Sequence, residues 1–352
     1  MEMKTWERVD VRVAGVVAGI AMVLFPVVGS ALGIQLDMSA NLLSNPDAVG
    51  AFNQASAFWE SKFTDPVQVR IAADFKSMDA GILGSSSSTR FYTSQYNDLR
   101  QQMIFDQHSS VGVGDLTDYL PTADQLSFVV PADKSYTFGG ISATSANWKA
   151  LGWGDASLPS YTYDGKITFN SNFTFDFNPN DGINANTIDF TGVAIHELGH
   201  ALGFISEVDT VDYFYNETKK PLALLPTTLD LFRLAPGQGD VDFTNALRIL
   251  APGDVVPGQV SYLGDAFGDV AMSTGVFHGD GYQASHWQDS FGFGIMDPTL
   301  AYGELALVSA CDLRAFDLIG WDLVAPVPEP RTMVLLGCGI ATLLGLRRRR
   351  IS

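Results

Sequence analysis

The chain has 352 residues, 46% of them hydrophobic and 17% charged, which excludes a disordered polymer and suffices for a sizeable core in one or two lobes. Its net charge is −18, and without residues 1–31 and 331–352 it keeps 13 basic against 36 acidic residues, a charge of −23. So acidic a surface repels nucleic acid and anionic lipid and excludes nucleic-acid binding as a function. Residues 13–28 form an uncharged apolar run followed by Gly29, Ser30 and Ala31, the order of a secretory signal cleaved near Ala31. Glu2, Glu7 and Asp10 balance Lys4, Arg8 and Arg12 ahead of that run, so an uncleaved anchor is the other reading. Residues 32–65 read as a pro-segment or N-terminal extension before a domain at 66–324.

From Pro66, "PVQVRI" alternates Val67, Val69 and Ile71 with polar residues, the period of a strand with one buried face. The glycine- and serine-rich "GILGSSSSTR" reads as a loop, residues 94–104 as a helix and 127–130 as a short strand. In "KITFNSNFTFDF" Ile167, Phe169, Phe173, Phe175 and Phe177 share one parity, predicting one bent strand or a hairpin at 167–177 whose edge an extended peptide could join. "NPNDG" closes that segment with turn residues and does not have the spacing of an EF-hand calcium loop. After Phe204, "APGQGD" and "APGDVVPGQ" read as loops around a short helix or strand. Val308, Cys311, Ala315, Leu318 and Ile319 then recur at helical spacing before Gly320, predicting an amphipathic helix over 304–319 with Cys311 as a buried thiol. With Cys338 near the C-terminus, the two cysteines give no disulfide framework, and neither a GxGxxG nor a P-loop pattern occurs. The fold class expected is α+β, with a strand-rich N-terminal lobe to about residue 203 and a looser C-terminal lobe ending in a helix.

The chemistry concentrates in "HELGHALGF" at 196–204. On a helix, His196 and His200 lie one turn apart and present their rings on one face, where both can reach one metal ion. Glu197 sits about 100° further round, where a carboxylate can take a proton from water activated by the metal and pass it to a leaving amine. Gly199 would admit a closely approaching element, and Gly203 would let the chain turn away. Two imidazoles, a third ligand and an open position suit zinc better than calcium or magnesium, which take oxygen ligands. Five histidines supply few candidates for that third ligand: His286 in "ASHWQDSFGFGIMDP" leads, with His278 in "VFHGDG" behind it and Glu207 or Glu217 as carboxylate alternatives. His108 reads as a surface residue. Tyr302, six residues after Met296, is placed to steady a developing oxyanion or simply to pack.

The HExxHxxG stretch, a long insertion, a late "SHW" and then Met296 in "GIMDP" together resemble the leishmanolysin-like branch of the metzincin metallopeptidases. The resemblance implies His196, His200 and His286 as ligands of one Zn2+ per chain, Glu197 as general base and Met296 as the methionine turn beneath the metal. It also implies a two-lobed fold, with a twisted mixed sheet and the active-site helix in the N-terminal lobe, and an irregular C-terminal lobe. Ser206, where many such sequences carry the third ligand, is then no contradiction. There is no cysteine before Cys311, so the cysteine-capped latency of that branch has no counterpart here. At the other end, "VPEP" at 327–330, the apolar residues 332–346 and the arginines at 347–350 resemble the PEP-CTERM exosortase signal of Gram-negative bacteria. That likeness implies export, processing by exosortase-type machinery, transient membrane contact through the tail at 325–352, and association with the cell surface or extracellular polymer. A plain C-terminal anchor is the alternative. The function expected is an exported zinc endopeptidase acting on protein or peptide. The rival is a non-catalytic surface or matrix protein that keeps a metzincin-like zinc-binding fold.

Overall fold

The computed structural model describes residues 3–5, 31–109, 116–132, 136–215, 222–240, 242–264 and 266–325. The segment from 326 onward that is read as a sorting tail, Glu217, the side chain of His108 and the segment read as a signal, apart from the short strand Met3–Thr5 and residue 31, lie outside them. Among the described residues no helix is long and apolar enough to cross a membrane.

A four-stranded sheet organises the first half. Strands β1 (Gly33–Met38), β2 (Gln68–Lys76), β3 (Gly84–Ser88) and β4 (Gly165–Asn170) lie in the spatial order β1-β2-β4-β3. The first three in that order are parallel, whereas β3 runs antiparallel to β4 at the edge, pairing Gly84 with Phe169 and Ser88 with Gly165. Parallel neighbours need a crossover, and helix α1 (Pro46–Glu60) supplies it between β1 and β2. Asn45 caps α1 by accepting from the Ala48 amide at 3.2 Å, with Pro46 at the first helical position. Its apolar stripe of Ala48, Ala51, Phe52, Ala55 and Trp59 is buried. Phe52 meets Phe169 of β4 edge-on at 5.2 Å, and Phe169 packs at 4.6 Å on Phe190 of helix α2 (Phe190–Leu202), so α1 and α2 share one sheet face. The segment at 32–65, read from sequence as a pro-segment or extension, thus supplies β1 and α1 to the same core as the rest of the domain.

Two segments depart from their sequence reading. The "GILGSSSSTR" loop contains β3, a strand with almost no intrinsic strand propensity that exists because β4 offers it a full row of partners. The predicted strand or hairpin at 167–177 is neither: β4 ends at Asn170, and Phe175–Asp176 pairs in parallel with Ile188–Asp189 in a separate two-stranded sheet. The shared parity of its phenylalanines reflects an aromatic cluster, with Phe175 and Phe177 at 5.2 and 5.0 Å from Phe190. The predicted helix at 94–104 forms as Tyr96–Ser109, and the strand at 127–130 as Phe128–Val129.

The second half, read as loops around one short element, holds more regular structure than expected. Helix α3 (Val208–Tyr215) follows the histidine helix, and Phe128–Val129 joins four short strands in a five-stranded sheet completed by Arg248–Ile249, Arg233–Leu234, Val260–Tyr262 and Asp269–Ala271. The closing helix α4 (Ala310–Leu318) is shorter than 304–319 because Ser309 and Asp312 form a capping box at its start, and it stops before Gly320, whose φ is +105°. Cys311 is half-buried on it, not enclosed. The chain is a mixed α+β protein.

Candidate metal centre

Helix α2 begins where Asp189 accepts from the Gly192 amide at 2.9 Å and ends at Gly203, whose φ of +131° turns the chain away. Two tryptophans fix it from behind: Trp59 Nε1 donates to the Ile195 carbonyl at 3.0 Å, and Trp321 Nε1 to the Leu202 carbonyl at 2.9 Å. Their rings interlock with Phe63 and Phe316, at 4.8 Å for Trp59 and Phe316 and 4.9 Å for Phe63 and Trp321. The helix that carries the histidines is therefore held against a rigid aromatic block.

On its open side, His196, His200 and His286 converge. Their Nε2 atoms form an equilateral triangle with edges of 3.1 Å. Each Nδ1 faces a backbone carbonyl: that of Ile295 for His196 at 2.7 Å, Phe204 for His200 at 2.7 Å and Gln283 for His286 at 3.1 Å. A carbonyl can only accept, so every Nδ1 carries the proton and every Nε2 presents a bare lone pair. Three lone pairs converging at 3.1 Å repel one another unless a cation sits between them. Zinc to nitrogen bonds of about 2.0–2.1 Å at tetrahedral angles would set the three nitrogens about 3.3 Å apart, so this donor set fits zinc with one position left open. Burial lowers the pKa of all three rings, that of His200 to about 3, which keeps them neutral as ligands must be.

Glu197 lies beside the triad with 6% of its surface exposed, and burial pushes its carboxyl up to about 8. Met296 is wholly buried beneath: its Sδ would stand 2.7 Å from a Cβ built on Gly199, the close approach that the glycine permits. The triad and Glu197 open into a cleft of about 1690 Å³, lined among others by β3 and by residues 297–300 and 304–307. Tyr302 lines that cleft and is 56% exposed, so it is not merely packed.

The alternatives for the third ligand lie elsewhere. His278 turns Nδ1 to Asp212 at 2.9 Å and stacks edge-on against Tyr215 at 4.8 Å. Glu207 is buried against Arg90 at 3.4 Å and also accepts from the Leu225 amide. Ser206 serves the triad indirectly, its amide donating to Ser285 Oγ at 3.0 Å, next in sequence to His286.

Two residues that sequence reading passed over hold His286 in place. Asp209 of α3 accepts from the amides of Ala284 and Ser285 and from Ser285 Oγ at 2.6 Å, so one carboxylate clamps the loop that delivers His286. Asp312, wholly buried, accepts from Trp287 Nε1 at 2.8 Å and from the amides of Ile295, Met296 and Ser309. It ties the residue after His286, the methionine turn and the start of α4 to one point. The sequence carried a signal for Asp312 in the capping-box pattern "SACD"; for Asp209 there was none. No protein-family profile, curated protein or solved structure matches this chain.

Proposed function

We propose that the protein is a zinc-dependent endopeptidase of metzincin-like architecture, exported and directed to the cell surface or extracellular matrix by its C-terminal tail. The observation that carries this reading is the triangle of Nε2 lone pairs with a buried carboxylate beside it at the floor of an open cleft. Bound there by His196, His200 and His286, one Zn2+ would supply Lewis acidity to water and to the scissile carbonyl. Glu197, whose carboxyl the charge of Zn2+ beside it would lower from the value that burial alone sets, takes the proton from the attacking water and returns it to the leaving amine. A site kept for structure alone needs the three imidazoles and has no use for this carboxylate. The extended substrate lies along β3, because β3 and not the segment at 167–177 is the sheet edge on the cleft; β4 is paired on both sides. Tyr302, exposed in the lining of the cleft, would steady the substrate carbonyl.

The test is cleavage of a denatured protein by the full chain and by Glu197→Gln, with zinc measured in both. The expected outcome is about one zinc per chain in each and a rate at least ~100-fold lower in the variant. Two zinc-loaded, correctly folded and equally inactive proteins would instead favour a non-catalytic matrix role.

A further inference from the structure

We propose that Gly84 is a positioning residue for the Glu197 carboxylate: the bare backbone at the first residue of β3 creates the space in which the general base stands beside the triad. The inference rests on the peptidase reading.

A Cβ built on Gly84 would lie 2.7 Å from Glu197 Oε1, 3.0 Å from Cγ and 3.1 Å from Cδ. The conflict therefore involves the length of the side chain and not only its tip. Backbone conformation does not explain this glycine: Gly84 has no positive φ, and any L-residue could adopt its extended geometry. Nor can either element yield. β3 is pinned by five successive pairs to β4, and its inward residue Ser88 donates from Oγ to the His200 carbonyl at 3.4 Å. Behind Glu197, α2 is locked by the bonds from Trp59 and Trp321 and by Met296 packed on Gly199. A side chain at position 84 can be accommodated only by rotating the carboxylate away from its place at the cleft floor. Because the alternation of β3 sets Gly84, Ser86 and Ser88 on the inward face and Ser85 and Ser87 outward, the space belongs to position 84 and not to the serines beside the substrate path.

A double-mutant cycle tests this with Gly84→Ala, Glu197→Ala and the pair in the full chain. In the metal-free proteins Gly84→Ala should lower the melting temperature by a few degrees when Glu197 is present and by almost nothing in the Glu197→Ala background. In the zinc-loaded protein Gly84→Ala should reduce kcat about 10–100-fold, with KM and zinc affinity unchanged. An equal stability loss in both backgrounds, or an unchanged kcat, would overturn the assignment. A native chain without peptidase activity that still shows the stability coupling would count against the peptidase reading and for the steric assignment.

Discussion

The first two histidines of the triad and the third are held by opposite physics. His196 and His200 sit on a regular helix whose back is apolar, wedged between α1, the four-stranded sheet and the tryptophan and phenylalanine block. His286 sits on irregular chain held by buried charges. Arg233, wholly buried, donates to Gln259 Oε1 at 2.8 Å, to the Ser273 carbonyl and to that of Ala284, while Arg248 donates to the carbonyls of Leu231, Thr244 and Ala246. Where the chain makes few backbone ladders, charged side chains satisfy its buried carbonyls and amides instead. A helix tolerates loss of one contact because many weak ones remain. A loop fixed by a few charged side chains loses more with each one.

That contrast is broken most strongly at Asp312. Asp312→Ala removes the acceptor for four donors while leaving them enclosed, and should lower stability by about 3–5 kcal/mol and release zinc. Urea denaturation of the metal-free protein measures the first effect and chelator competition the second. A loss under ~1 kcal/mol would mean that the methionine turn is held by packing, as the histidine helix is.

The same difference explains what the sequence disclosed. The ligands and Glu197 were legible because metal chemistry admits few residue types at few spacings, and His286 stood out among only five histidines. The strand over Val69 and Ile71 was legible because one face is buried and the other is not. β3 was not, since glycine and serine carry no apolar alternation; its conformation comes from β4 and from the helix beneath it. The phenylalanines of 173–177 misled because an aromatic cluster keeps the same parity across a break in the strand. Arg233, Arg248 and Asp209 could not be told from surface charges, since what distinguishes them is the backbone they meet. The regular half is written in periodicity, the irregular half in pairings that only the folded chain reveals.

Buried carboxylates also gather away from the cleft. Where the N-terminal half meets the chain after α4, Asp65, Asp106, Asp317 and Asp322 crowd together, Arg314 pairing with Asp317. Burial first, and then the neighbouring carboxylates, raises Asp65 and Asp106 to about 8. Their folded pKa values lie above the unfolded value near 4, so their contribution to stability is complete below about pH 4 and is lost as pH rises through about 8. The three buried histidines act oppositely, since their lowered pKa values remove stability as pH falls below about 6.5. The difference between Asp65→Asn and the native chain isolates the carboxylate: the variant should gain relative stability by up to a few kcal/mol between about pH 4 and 8. A difference independent of pH would show that Asp65 stays ionised throughout.

The finest test of the contrast is Asp209, which is half-buried and lines the cleft beside the loop that carries His286. Its carboxylate fixes the two residues before His286, so its removal should loosen the third ligand without unravelling the domain. Asp209→Ala should weaken zinc about 10–100-fold, the range for losing a group that orients a ligand, with Asp209→Asn in between because its amide oxygen still accepts. Removing one support behind His196 and His200, as in Trp59→Phe, which loses the hydrogen bond to the Ile195 carbonyl, should leave zinc affinity unchanged, since α2 keeps its other supports. If Asp209→Ala binds zinc within twofold of the native chain, the loop carrying His286 is preorganised by Arg233 and Ser206 alone, and the carboxylate is only one strut among several.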